Sequence, residues 1–471
     1  MYSHYERLSA MDATFLDLED SNSHMHIGSV GIFDAGPVTV GGGLDMERLL
    51  GLSGVALQNN ARFRQKIIRI PRLEAPVWVD DERFNLDYHV RHTALPAPGD
   101  ERKLKRLAGR IMSQQLDRGK PLWEMWFVEG LEGDRFAVIS KIHHCLADGV
   151  SGVDLLSGLM GPNPDHVAKA PARWIPRPAP APRRMLMDEL GRRASAPLSL
   201  LRGREHLPGA LGDAARGLGE TLSAGLSQAS PTPLNDDLGP HRRFDWTSFE
   251  LDAVKGIRKR LGGTLNDVVL AVVTGAVRKF LSARGMRVEE LDFRTLVPVS
   301  VRTEDEHGKL GNRVSTLMAR LPLDEPDPAK RLARVVETTS ELKGGRQALG
   351  GEALAKVADL VFPEFMTLYA RMAIRGLAAN MVVTNVPGPP VPIYMLGARM
   401  LEVFPVVPLA AKQGLGVALF SYDDRLFWGF NSDWDAVPDL HDFVEDVEEE
   451  FARLQALAAD TPVRISEREA G

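Results

Sequence analysis

The chain has 471 residues, 44% of them hydrophobic and 25% charged, and its 57 basic and 63 acidic side chains leave a net charge of −6. That length exceeds one ordinary core, so two domains of about 150–230 residues each are expected. The composition excludes a disordered chain or a membrane channel, and the acidic balance argues against nucleic acid as a partner.

The first seven residues lack the basic start and apolar stretch of a secretory leader. The single cysteine, Cys145, permits no intramolecular disulfide and no Cys-rich zinc site. A cytoplasmic location is therefore expected. No apolar run approaches the ~20 residues that cross a bilayer; the richest, Val268 to Val273, lies between Asp267 and Arg278. Membrane contact is expected only at the periphery.

Strand-like and helix-like segments alternate over residues 10–160. Leu104, Leu107, Ile111 and Met112 recur at helical spacing and predict a helix over 102–116. A Gly133-Asp134 turn separates an apolar run over 123–128 from a strand over 136–142. After Gly149, the spacing of Val150, Val153, Leu156 and Met160 turns helical. Prolines 162, 164, 171, 176, 178, 180 and 182 then break regular structure. An arginine-rich stretch follows, with Arg183, Arg184, Arg192, Arg193, Arg202 and Arg204 interleaved with methionine and leucine. It reads as a linker, packed across two domains or lying on a lipid surface as a basic amphipathic segment. The organisation expected is thus a domain over 1–160, a connection over 161–235 and a second domain over 236–471. In the second domain, helices are expected over 264–281, 328–342 and 353–373, with Thr264 or Asn266 as the cap of the first. A strand is expected over 293–301. A hairpin over 414–431 turns at Tyr422-Asp423-Asp424-Arg425.

The segment with chemical content is His143-His144-Cys145-Leu146-Ala147-Asp148-Gly149, at the end of a buried-type strand. Successive strand side chains point to opposite faces, so the two histidines do not share one cavity. One of them can take a proton from an alcohol near neutral pH while the other packs inside. Asp148 lies across a turn that Gly149 permits, and is expected to fix that turn through an ion pair with Arg64. A metal site on His143, His144 and Asp148 is disfavoured by the opposed strand directions. Cys145 as a nucleophile would need a depressed pKa. The serine-hydrolase elbow Gly-x-Ser-x-Gly is missing.

With its surroundings, this segment resembles the bacterial wax ester synthase/diacylglycerol acyltransferases, members of the CoA-dependent acyltransferase superfamily. The resemblance runs along nearly the whole chain. It is carried by Leu8-Ser9-Ala10-Met11-Asp12-Ala13-Thr14-Phe15, by Pro121-Leu122-Trp123 and by the His143–Gly149 segment. In the second half it rests on Leu234-Asn235, Gly239, Arg242-Arg243, Thr264 to Val269, Pro298 to Arg302, Leu310 to Arg313 and Thr384-Asn385-Val386-Pro387-Gly388-Pro389. The chain departs from the family at Asp424, where relatives carry glycine in the hairpin turn.

The resemblance implies an α/β fold of two chloramphenicol-acetyltransferase-like domains with an active-site tunnel between them. It implies direct transfer of an acyl group from acyl-CoA to a diacylglycerol or fatty alcohol hydroxyl at a membrane or lipid-droplet surface. Acyl-CoA is a substrate, and no cofactor is implied. His144 is the implied general base, with His143, Asp148 and Gly149 beside it. Pro121, Leu122, Trp123, Asn266, Asp267, Asn385, Pro387 and Gly388 are the implied substrate-binding positions. Asn266 also starts a helix, and Asn385 to Pro389 also reads as a rigid turn. The oxyanion donor is a backbone group near Gly149 or the Asn266 side chain. Two further readings are a condensation-type acyl transferase and an inactive lipid-binding protein, the second opposed by the intact His144, Asp148 and Gly149.

Overall fold

Eight of the nine residues of the strand ending at His143 are buried, and a strand covered on both faces must lie inside a sheet that is itself covered. The computed structural model describes residues 5–57, 60–146, 158–165, 174–202, 227–300, 314–344 and 363–462. The first part of the chain forms β1 (Glu6–Arg7), α1 (Ala10–Leu18), β2 (His26–Asp34), β3 (Thr39–Val40), β4 (Gly43–Leu44) and α2 (Met46–Ala56). It continues with β5 (Gln65–Arg69), β6 (Pro76–Asp80), α3 (Leu86–His89), β7 (Val90–Ala94), α4 (Glu101–Met112), β8 (Trp123–Leu131) and β9 (Arg135–His143).

After α5 (Pro182–Arg202) come β10 (Arg242–Glu250), α6 (Leu251–Leu261), α7 (Leu265–Ala283), β11 (Arg294–Ser300), β12 (Val314–Arg320), α8 (Pro328–Gly344) and α9 (Pro363–Arg375). The chain closes with β13 (Met381–Pro387), β14 (Tyr394–Met395), β15 (Ala398–Val406), β16 (Leu415–Tyr422), β17 (Arg425–Asp433) and α10 (Leu440–Asp460). This is a mixed α/β fold of two domains, each built on a six-stranded sheet.

Local chemistry accounts for several boundaries. Asp100 caps α4 by accepting from Lys103 N at 2.8 Å, and α4 ends at Met112, four residues short of the expected end. Thr264 and Asp267 form a reciprocal capping box that starts α7. Val268 to Val273 are buried all round in this helix, which is why they read as a long apolar run. Among the described residues no single helix is long and apolar enough to cross a membrane. The β16–β17 hairpin turns on Asp423 and Asp424, both at positive φ (45° and 61°), the conformation a two-residue hairpin requires and one aspartate tolerates.

The sheets run β14-β15-β2-β9-β8-β7 and β10-β17-β16-β13-β11-β12. The chain does not divide between them at one point. β15 leaves the C-terminal half and pairs antiparallel with β2, with Phe404 opposite Val30 and Val406 opposite Gly28. The reason is visible in its side chains: Met400, Val403, Phe404 and Val406 join the N-terminal core. Trp246 of β10 stacks on Phe404 with ring centroids 4.6 Å apart. Gly429 of β17 lets the second sheet close on this strand, because a Cβ there would strike the Pro405 carbonyl.

In the stretch after the prolines, α5 buries Met185 against Ile70, Val77 and Val79. Its buried Glu189 binds Arg7 at 2.8 Å, Arg192 at 2.7 Å and Arg193 at 2.9 Å. Two of the arginines expected to be available to a lipid surface are therefore neutralised within the fold.

Phe404 fills a seam shared by both sheets, so Phe404→Ala is expected to cost about 3–5 kcal/mol. Urea unfolding followed by both tryptophan fluorescence and circular dichroism checks this. The expected result is one transition shifted to lower urea; two separated transitions would show that the sheets do not unfold together.

Candidate active site

Helix α1 is capped by Ser9, whose Oγ accepts from Asp12 N at 3.1 Å. It stops at Leu18 because Glu19 takes an extended conformation, and this turns the Glu19 carboxylate inward, its side chain only 1% exposed. On one side, Glu19 Oε2 stands 3.1 Å from His143 Nε2 and 3.6 Å from His26 Nε2 and accepts from Met25 N at 3.3 Å. On the other, Oε1 accepts from Gln115 Nε2 at 2.6 Å and Arg118 Nη2 at 3.1 Å. Burial alone would push this carboxyl up, but His143, His26 and Gln115 outweigh it and hold the pKa well below the usual carboxylate range.

His26 and His143 face the same carboxylate because they are direct partners across the β2–β9 ladder. His24, two residues before His26, stacks on it with centroids 5.3 Å apart and makes a hydrogen bond between Nε2 and Ser113 O at 3.1 Å. Burial holds His24 and His26 below the ordinary histidine range, His26 far below. The tautomer of His143 follows from its other nitrogen. Nδ1 accepts from the backbone N–H of Cys145 at 3.1 Å, so its proton sits on Nε2, toward Glu19.

His144 is placed differently. β9 ends at His143, and His144 opens a short 3₁₀ turn through Leu146, anchored by His144 N donating to Met25 O at 2.7 Å. Its ring lies on Phe15 of α1, with centroids 3.8 Å apart and planes 24° from parallel. Burial, with His143 next to it, pushes its pKa down to about 4. At neutral pH it is therefore an uncharged imidazole with a lone pair. Cys145 is buried, and burial raises its thiol pKa well above the ordinary value; such a thiol is a poor nucleophile.

The remaining expected positions fall into separate places. Asp148 and Gly149 lie outside the described residues, and Arg64, the expected partner of Asp148, lays its guanidinium over the Trp174 ring at 4.8 Å. Leu122 and Trp123 are each 1% exposed. Trp123 donates from Nε1 to Phe63 O at 2.8 Å and stacks on His89. Together with the buried Pro121, these residues meet the site through backbone: Leu122 O accepts from His143 N at 3.0 Å.

In the other half, Asp267 is occupied by its capping box and by Thr339 Oγ1, which donates to its Oδ1 at 2.7 Å. Asn385 Nδ2 donates to Asn266 Oδ1 at 2.7 Å, while Asn385 Oδ1 is buried without a hydrogen-bond partner. Two small cavities of about 20 and 10 Å³ share Asn266, Leu270 and Val297 in their walls, and the second also touches Asn385. Each has room for about one water molecule. Pro387 is exposed at the end of β13. Gly388 is glycine because a Cβ would collide with the Ser421 carbonyl and the Phe420 ring.

Glu19, His24 and His26 carry no motif that marks them in the sequence, and Phe15 belongs to a motif that assigns it no role. The available signal was two histidines at strand spacing, so on one face, just after a helix that ends in glutamate.

The chain is similar in sequence and fold to known proteins. The family model described as wax ester synthase/diacylglycerol acyltransferase catalytic domain matches residues 8–269, and that of the C-terminal domain matches residues 310–455. A Mycobacterium tuberculosis protein named "Probable diacyglycerol O-acyltransferase tgs1" is 35% identical over 461 residues, covering 96% of both chains. The solved wax ester synthase/diacylglycerol acyltransferase from Marinobacter aquaeolei VT8 is 26% identical, with a TM-score of 0.67 over 96% of this chain and 100% of that one. The trichothecene 15-O-acetyltransferase from Fusarium sporotrichioides, 13% identical with a TM-score of 0.62 over 96% of each chain, shares the fold.

The pKa shifts set the acid stability. Glu19 is depressed, so its contribution is present above the ordinary carboxylate value of about 4.5 and lost as pH falls below it. His144 is depressed too, so the unfolded chain binds its proton first, and stability falls between about pH 6.5 and 4. Glu19→Gln should cost about 3–5 kcal/mol near neutral pH, since Arg118 and the histidines lose a buried partner. The difference from the parent protein should shrink below pH 4.5. Urea midpoints at several pH values check both outcomes.

Proposed function

The chain belongs to the wax ester synthase/diacylglycerol acyltransferase family, and we propose that this acyltransferase moves a long-chain acyl group from acyl-CoA to the hydroxyl of a diacylglycerol or fatty alcohol. The products are triacylglycerol or wax ester, and CoA. The observation that carries the mechanism is the uncharged imidazole of His144, stacked on Phe15 beside an internal histidine–carboxylate cluster.

The two substrates meet at His144 from opposite faces of a tunnel between the halves. His144 takes the proton of the acceptor hydroxyl as its oxygen attacks the thioester carbonyl. The tetrahedral intermediate then collapses, the C–S bond breaks, and the imidazolium returns the proton to the CoA sulfur. No covalent acyl-enzyme forms, in keeping with the buried, high-pKa thiol of Cys145. Holding both substrates together removes much of the entropic barrier.

His143 positions the segment, its Nδ1 accepting from Cys145 N and its Nε2 standing 3.1 Å from Glu19 Oε2. Asn266 is the proposed oxyanion donor: its Oδ1 is occupied by Asn385, which leaves its NH₂ to donate.

Purified protein given palmitoyl-CoA with hexadecanol or a diacylglycerol should release CoA and form the ester, and the preferred acceptor follows from the product. Absence of both products would overturn the assignment. His144→Ala should lower turnover by roughly 10²–10⁴-fold or more with the fold intact by circular dichroism. For the parent enzyme, kcat/KM should stay level through the ordinary histidine range and fall only toward about pH 4, below the ~6.5 of an unperturbed imidazole.

A further inference from the structure

The first turn of α7 is held firmly through its backbone. Thr264 and Asp267 close the capping box, and Thr339 of α8 holds Asp267 from outside. The amide of Asn266, half-buried between them, still has two orientations, with either its oxygen or its NH₂ turned outward. Among the described residues this side chain has one hydrogen bond, from Asn385 Nδ2 to Asn266 Oδ1 at 2.7 Å. Asn385 reaches it along β13. Met381, Val383 and Asn385 alternate onto one face of the strand, and the first two are buried in the core of the second sheet. An apolar row thus ends in an amide. On one side, β13 pairs with β16 as far as Pro387. On the other, among the described residues, it pairs with β11 only through Thr295–Met381 and Leu296–Val382. Pro298, two residues further along β11, has no N–H for a ladder. The carboxyl ends of these parallel strands part there, and such a crevice is where open α/β sheets hold ligands. The cavity of about 10 Å³ at this point is lined by Val269, Leu270, Val297 and Val383, with Asn266 and Asn385 as its polar side chains.

We propose that Asn385 is a positioning residue for acyl transfer. By holding Oδ1 of Asn266, it turns the NH₂ of that side chain toward the oxygen that becomes negative in the tetrahedral intermediate. The proposal rests on the oxyanion role given above to Asn266. An amide free to turn over would present its own oxygen there for part of the time, and that oxygen repels the charge its NH₂ stabilises. The other walls of the cavity are apolar and cannot hold the amide in one orientation. Asn385 also leaves its own Oδ1 buried without a hydrogen-bond partner, which costs stability. A leucine ending the same apolar row would bring no such cost. The amide at this position is therefore explained by what it does to Asn266.

The test measures kcat and KM for palmitoyl-CoA in Asn385→Leu, in Asn266→Ala and in the double variant, each checked for folding by circular dichroism and urea unfolding. Asn266→Ala should lower kcat by roughly 10²–10³-fold, as loss of one oxyanion donor does. Asn385→Leu should lower kcat by roughly two- to tenfold, the bias that one hydrogen bond holds, with KM for palmitoyl-CoA within about twofold of the parent. In the double variant, Asn385→Leu should cost nothing beyond Asn266→Ala. Asn385→Ser, too short to reach Asn266, should show the same loss and is read in place of the leucine variant should that one fail to fold. An equal loss in both backgrounds would overturn the proposal, because a merely structural residue acts whether or not Asn266 is there. Unchanged turnover in Asn385→Leu would overturn it as well. So would a loss confined to KM, which would make Asn385 a substrate contact. In each of these results Asn266→Ala is still impaired. Parent-like turnover in Asn266→Ala would instead sink the oxyanion reading, and the positioning role with it.

Discussion

The buried charge of Glu19 organises the candidate site. A carboxylate removed from water is tolerated only when its oxygens are filled, and here they are approached from α1's own continuation, from β2, from β9 and from the segment after α4. One acid thus ties four elements to a point beside His144. It also decides which way His143 carries its proton, and the backbone of Cys145 makes the same choice from the other side. The His144 imidazole is the member of the segment left outside this arrangement, with a ring neighbour in place of an ion pair.

The second constraint is the shared seam between the sheets. β15 belongs to the C-terminal half by sequence and to the N-terminal sheet by hydrogen bonding, with Trp246 stacked on its Phe404. Arg242 adds to this seam: it is buried, hydrogen-bonded to the Asn22 carbonyl and 3.3 Å from Asp433, while its N–H donates to Ser113 Oγ at 2.8 Å. The histidine cluster also rests on Ser113, through His24. The relative placement of the halves and the geometry near the histidines are therefore held by overlapping contacts.

Features that depend on neighbours in sequence were legible. The α7 cap is written in Thr264 and Asp267, the β16–β17 turn in its acidic pair, and β9 in its unbroken apolar run. Features that depend on packing were not. Trp123 reads equally as core or as a binding wall, and only its engaged N–H and enclosed ring show that it is core. Asp267, expected at a substrate site, is filled by Thr264 and Thr339. Glu19 carries no local mark of its role, because its depressed pKa comes from histidines 7 and 124 positions away. The arginines after the prolines suggested a free basic face, but a single buried Glu189 claims two of them.

The route of β15 bears on how the protein is made. β2 ends at Asp34 and gains β9 on one edge from Arg135, but its partner on the other edge does not begin until Ala398. On the ribosome, the first sheet therefore waits with one side of β2 unpaired until most of the chain has been synthesised. An open apolar strand edge is a template for wrong pairing. The nascent chain is exposed to self-association and to chaperone capture for that whole interval, and an early stop before residue 398 would leave the edge permanently open. Its vulnerability in the cell thus lies in translation time, more than in the finished fold.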